Sequence, residues 1–283
     1  MAYWGYLGFI KGYLSGFGQN ITPKILEIGV DKGQTFIPLA SHLVNKREKF
    51  QLTGVDIKIE PSLAIILEMM SYDMDADNQT GIVLKDNSLK FLKRMNQLIT
   101  SDEHFNEWGY WDLVLLDGDH NYYTVSRELE FISKQLAKTG IIIIDDYDGR
   151  WAEKDEYFSE VEGYENHLSL LDKPEDTQGE KRGVKTAVLD FVKNNPEWKL
   201  DKRVFPKHTP VLMYREEHVK LVEVDPEDPI DAWPESEKYR DEAEKLMAPG
   251  RVVLAFKGSK EEEPAVDKVS KRYHHLNKKK KEN

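Results

Sequence analysis

Two segments of this chain, WDLVLLDGDH (111–120) and GIIIIDDYD (140–148), run through four consecutive apolar residues and then break into acids. Residues alternate sides along a strand, so an unbroken apolar run means both faces are covered, as in a parallel sheet flanked by helices. Shorter β-like runs recur at KILEIGV (24–30), FQLTGVDI (50–57), GIVLKD (81–86) and PVLMYRE (210–216). Helical spacing falls between them, at TFIPLASHLV (35–44), LAIILEMM (63–70) and VSRELEFISKQLAK (125–138), the last with Val125, Leu129, Ile132 and Leu136 on one face. A further helix, VKTAVLDFVKNN (184–195), is closed by Pro196. Strands alternating with helices predict a doubly wound α/β sheet.

Around this core three segments differ. Residues 1–23 are aromatic and apolar and suit a lid or an interface, which makes a homodimer compatible with the sequence. Residues 149–182 form a charged, aromatic insertion within a domain expected to span 24–216, and a gap of that length in a compact domain is more often functional than idle. Trp151, Tyr157, Phe158 and Tyr164 in it could face a substrate or fill a core. Residues 217–283 are acidic, proline-punctuated and end in a lysine run. They read as an extension with a helix near 235–247, a strand at 251–256 and a solvated tail.

Composition removes several classes of function. The net charge of −11 argues against a basic face for nucleic acid. The absence of cysteine removes disulfides, thiolate zinc sites and thiol nucleophiles. The N-terminal stretch lacks the basic and uninterrupted apolar regions of a signal peptide, and no window approaches the ~18 apolar residues of a membrane span. The expectation is a soluble, cytoplasmic protein without a membrane partner.

In LEIGVDKGQT (26–35) the first strand turns through Gly29 and Gly33 into a helix. Glycines there permit positive φ and close approach of a ligand to backbone N–H groups, although the same turn could serve chain reversal alone. Asp31 stands where a dinucleotide turn carries its middle glycine, and Glu27 and Asp31 would repel a pyrophosphate but welcome a cation. Asp56, with Ile57 beside it, ends the second strand at the distance where an acid meets ribose hydroxyls in nucleotide-binding α/β folds; a helix cap is the alternative. Ligands of parallel sheets bind beyond the carboxyl ends of the strands, where Asp56, Asp86, Asp117, Asp145 and Asp146 all fall. Burying that many carboxylates together would raise their pKa values unless a cation relieved them. Asp117, Asp145 and Asp146 belong to strands expected to be neighbours, and an all-oxygen set favours Mg²⁺ or another hard divalent ion over zinc.

The turn resembles the E-x-G-x-G-x-G motif of the class I S-adenosylmethionine-dependent methyltransferases. DGDHNYY followed by GIIIIDDYD resembles, more narrowly, the macrocin and mycinamicin type of O-methyltransferase with its IDGDH pattern, and catechol-type enzymes share the metal layout. The resemblance implies a Rossmann-like, mostly parallel, seven-stranded sheet with helices on both faces, over about residues 24–216. Carried over residue by residue, it implies Glu27 on the methionine amine and Thr35 on its carboxylate, with Gly29, Asp31 and Gly33 in the cofactor turn. It further implies Asp56 and Ile57 at the ribose, and Asp86, Asn87 and Ser88 at adenine, although Asp-Asn-Ser also makes a good turn by itself. Asp117 would touch both cofactor and metal, Asp145 and Asp146 would complete the metal set, and His120 would be the general base. His120 could equally be a structural histidine, and Asp119 either orients it or caps the turn.

The reading is therefore a transferase: an S-adenosylmethionine-dependent, Mg²⁺-assisted O-methyltransferase acting on a hydroxyl of a small molecule or sugar. The alternative is an S-adenosylmethionine-binding module that lacks transferase activity and works through a partner.

Overall fold

The computed structural model describes residues 4–17, 21–46, 49–71, 74, 78–100, 109–149, 151–155, 182–202, 205, 210–223 and 252–256. The expected helix at 235–247, the terminal tail, and Tyr157, Phe158 and Tyr164 lie outside them.

Helix α1 (Trp4–Ser15) leads into β1 (Lys24–Ile28), α2 (Phe36–Lys46), β2 (Phe50–Asp56), α3 (Pro61–Ser71), β3 (Gln79–Lys85), α4 (Ser88–Thr100) and β4 (Trp111–Leu116). Then come α5 (Tyr122–Gln135), β5 (Leu136–Ile144), α6 (Gly183–Asn194), β6 (Trp198–Asp201) and β7 (Val211–Arg215). These seven strands form one sheet in the order β3-β2-β1-β4-β5-β7-β6. The pairs among β1 to β5 are parallel, and β7 runs antiparallel between β5 and β6. This is the Rossmann-like fold of class I methyltransferases, as the sequence predicts. A separate antiparallel pair joins β8 (Val219–Glu223) to β9 (Val252–Phe256), which lies where a strand is expected in the extension.

Alternation along the strands builds two cores. Leu113, Leu115, Ile141 and Ile143 face one side with residues of α1, α2 and α3, while Val114, Leu116, Ile142 and Ile144 face the other with α4, α5 and α6. Both faces of β4 and β5 are dry, which accounts for their unbroken apolar runs.

Three elements gain detail in the structure. The N-terminal aromatic segment is a helix, docked through Leu7, Ile10, Tyr13 and Leu14, with the Tyr13 hydroxyl donating to the Asp112 carbonyl at 2.8 Å. Its regular glycines disfavour a helix locally, so docking and not propensity holds it. Helix α4 begins where Asn87 Oδ1 accepts from Lys90 N, so Asp86-Asn87-Ser88 is a strand end and a helix cap together. Strand β5 ends at Ile144, so Asp145 and Asp146 sit just beyond its carboxyl end.

What matters for function is the level finish of the central strands. Ile28 pairs with Val55 and Leu116, and Leu116 with Ile144. The residues that follow these partners are Gly29, Asp56, Asp117 and Asp145, gathered on one rim by register alone.

Candidate functional site

The rim starts at the turn after β1. Gly29 has φ +83° and Gly33 φ +78°, both left-handed, and a Cβ on Gly29 would lie 1.9 Å from the Asp117 carbonyl oxygen. Glycine is thus demanded by the close approach of β4 as well as by the turn. Asp31 also adopts a left-handed φ of +46°, which an aspartate tolerates better than most residues. Its backbone N–H and that of Val30 both donate to Asp56 Oδ2, at 2.9 and 2.8 Å, and Lys58 N donates to Asp56 Oδ1 at 2.9 Å. Asp56 therefore shapes the turn. A carboxylate offers about four lone-pair positions, so these three donors leave room for one more. Ile57 follows, half-buried. Thr35 is buried immediately before α2, and its carbonyl accepts from Leu39 N.

Glu27 is buried, with Oε2 lacking a hydrogen-bond partner, and desolvation followed by repulsion from Asp56 raises its pKa well above the ordinary glutamate range. Asp117 is raised likewise, first by desolvation and then by Asp145, Glu27 and Asp146. Asp146, at a left-handed φ of +51°, is pushed up to about 6 by burial and by Asp145. Four carboxyl groups from three strand ends thus share one field.

His120 faces the same acids. Its Nε2 lies 3.8 Å from Asp117 Oδ1 and 3.6 Å from Asp146 Oδ2. Burial pushes its pKa down to about 4, with Asp145 opposing, so the ring is neutral at physiological pH. Asp119 accepts from Asn121 Nδ2 and Thr124 Oγ1, both at 2.6 Å, which is the turn-capping alternative. Asp86 accepts from Asn87 N and pairs with Arg94, and Ser88 opens α4.

The structure thus brings Glu27, Asp117, Asp145, Asp146 and His120 together, with Gly29, Asp31, Gly33 and Asp56 beside them, and directs Asp86, Asn87 and Asp119 mainly to local turns. Among the described residues, no group of three or more His, Asp or Glu side chains forms a ready metal set. The chemistry of the donors still suits a hard cation, since they are oxygens whose mutual repulsion such an ion would relieve.

Sequence reading passed over Trp151 as a neighbour of His120. The two rings stack, with centroids 5.6 Å apart and planes 24° from parallel. It also passed over Glu128, fully buried on α5, whose position among Val125, Leu129 and Ile132 on the apolar face was the available signal.

A sheet of this order with a glycine turn and an acidic rim defines a class I methyltransferase fold. Residues 26–147, which hold the turn and most of that rim, match the family model described as a methyltransferase domain, and this match supports an S-adenosylmethionine-dependent methyltransferase. No curated protein sequence matches the chain. Among solved structures, the calicheamicin methyltransferase CalS11 aligns over 74% of this chain and 77% of its own, at 13% identity and a TM-score of 0.46. A candidate rRNA-methylase from Clostridium thermocellum aligns over 73% of this chain and 92% of its own, at 18% identity and a TM-score of 0.42. The MycE methyltransferase of the mycinamycin biosynthetic pathway, solved with Mg and SAH, aligns over 75% of this chain and 49% of its own, at 15% identity and a TM-score of 0.40. No helix among the described residues is long and apolar enough to cross a membrane.

Proposed function

We propose that the protein is an O-methyltransferase that uses S-adenosylmethionine and a hard divalent cation, Mg²⁺ first, to methylate a hydroxyl of a small molecule or sugar. The observation that carries this reading is the meeting of Glu27, Asp117, Asp145 and Asp146 beside a buried neutral His120 at the glycine turn. When bound, the cofactor would supply an electrophilic methyl on sulfur, and the cation would make an acceptor hydroxyl more acidic.

Each residue then has a task. Glu27, buried with an orphan oxygen, holds the cofactor's amine, Gly29 and Gly33 let its body approach the backbone, and Thr35 takes its carboxylate. Asp56 and Ile57 border the ribose, and Asp86, Asn87 and Ser88 the adenine. Asp117, Asp145 and Asp146 would hold the cation. His120 Nε2 would take the proton of an acceptor hydroxyl. Nε2 lies 3.8 Å from Asp117 Oδ1 and 3.6 Å from Asp146 Oδ2, which places the base beside the residues that would hold the cation.

Substitution of Asp145 by alanine should abolish turnover while leaving S-adenosylhomocysteine binding nearly intact, read by methyl transfer to a panel of hydroxylated acceptors alongside calorimetry. Full activity after exhaustive chelation would refute the role of the cation. Nothing in the site favours a binding module without transferase activity.

A further inference from the structure

We infer that Trp151 is a positioning residue for His120, and that Asp155 holds it in place by tying the N-termini of α5 and α6 to the segment that carries it. This rests on the reading of His120 as the base and adds what keeps that base aimed.

A histidine ring turns about a broad side-chain torsion, so its plane needs an outside constraint. Asp117 and Asp146 lie 3.8 and 3.6 Å from Nε2, beyond hydrogen-bonding distance. The Trp151 indole sets the plane of the ring, because a flat surface at a centroid distance of 5.6 Å and a 24° tilt excludes most other ring orientations. Trp151 is itself buried.

The segment 151–155 has no regular structure, yet it is tied at several points. The first three N–H donors of α6, which a helix leaves without internal partners, all go to it: Gly183 N to Asp155 Oδ1 at 2.8 Å, Val184 N to the Trp151 carbonyl at 2.9 Å, and Lys185 N to the Ala152 carbonyl at 2.8 Å. Asp155 Oδ1 also accepts from Tyr122 N at 2.7 Å, the first residue of α5 and two beyond His120. One buried carboxylate oxygen therefore joins the helix that follows the base to the helix that carries the indole's anchor. Gly183 completes the fit, since at φ +66° its missing Cβ would lie 2.4 Å from the Trp151 carbonyl oxygen.

Four variants test this: Trp151→Phe, Trp151→Leu, Asp155→Asn and Asp155→Ala. Phenylalanine keeps a flat face and asparagine keeps the single acceptor oxygen, so these two should rescue what leucine and alanine lose. Expected for Trp151→Leu and Asp155→Ala is a fall in kcat of roughly 10- to 100-fold with the KM for S-adenosylmethionine unchanged, the size seen when partners that orient a working side chain are removed. The ring resonances of His120, identified by their loss in His120→Gln, should move in the leucine and alanine variants and stay near their original place in the other two. These resonances need no turnover, so a wild-type protein that transfers no methyl group would sink the enzymatic reading and leave the positioning to be judged by the spectra alone. Unmoved His120 resonances in Trp151→Leu, or equal losses in the phenylalanine and leucine variants, would overturn the inference.

Discussion

At the scale of single residues, the site is a problem of uncompensated charge solved by backbone geometry. Glu27, Asp117 and Asp146 all have raised pKa values because each loses water and meets another acid. Gly29 is the hinge of the arrangement, since no other residue fits both its φ of +83° and the Asp117 carbonyl against it. Gly29→Ala should therefore lose more than about 2 kcal/mol of stability and all measurable binding of S-adenosylhomocysteine, checked by urea unfolding and calorimetry. Retained binding with an unchanged unfolding midpoint would show that the turn can open away from β4. Residue types at this scale were readable in advance, because acids after apolar runs and glycines after the first strand have few other uses. Their partners were not. Asp119 joins Asn121 and Thr124, and Asp86 joins Arg94, choices that depend on where neighbouring helices start.

Among the elements, α5 carries two features that make its packing measurable. Glu128 sits fully buried on its apolar face, and burial, opposed by a hydrogen bond from Ser88 and reinforced by Asp119, raises its pKa to about 8 from the usual 4.5. The folded state therefore binds this proton more tightly than the unfolded chain does. Its contribution is fully present below about pH 4.5 and is lost as pH rises through about 8. Glu128→Gln should flatten the alkaline side of the stability profile, gaining up to a few kcal/mol over wild type at pH 9, followed by Tm against pH. Parallel profiles for the two proteins would contradict the buried, protonated state. The other feature is the helix's C-terminal end, which passes into β5 without a loop. Arg215 of β7 donates to the carbonyls of Ser133, Leu136 and Ala137 and stacks over Trp198 at 4.5 Å. Arg215→Ala leaves those carbonyls short of donors and should cost about 2–3 kcal/mol by urea midpoint, with Arg215→Lys intermediate because lysine keeps the charge but not the planar fork. An alanine variant as stable as wild type would mean that water serves the helix end equally well.

Across the whole molecule, a sheet whose central strands are covered on both faces leaves its carboxyl rim as the place where polar groups can gather. S-adenosylhomocysteine at 100 times its dissociation constant should stabilise the protein by about 2.7 kcal/mol, and NAD at equal concentration should not, compared by thermal shift. Stabilisation by NAD alone would reassign the cofactor. The apolar runs of β4 and β5, the helical spacing between strands and the glycine turn follow from local periodicity, so the doubly wound sheet and the acids at its strand ends were determined by the sequence itself. Tertiary structure alone decided that α1 is a helix, that Trp151 lies against His120 and that Asp155 binds two helix ends at once. Those pairings join residues far apart in the chain or override local preference, and their energy exists only once the surrounding surfaces have closed and excluded water.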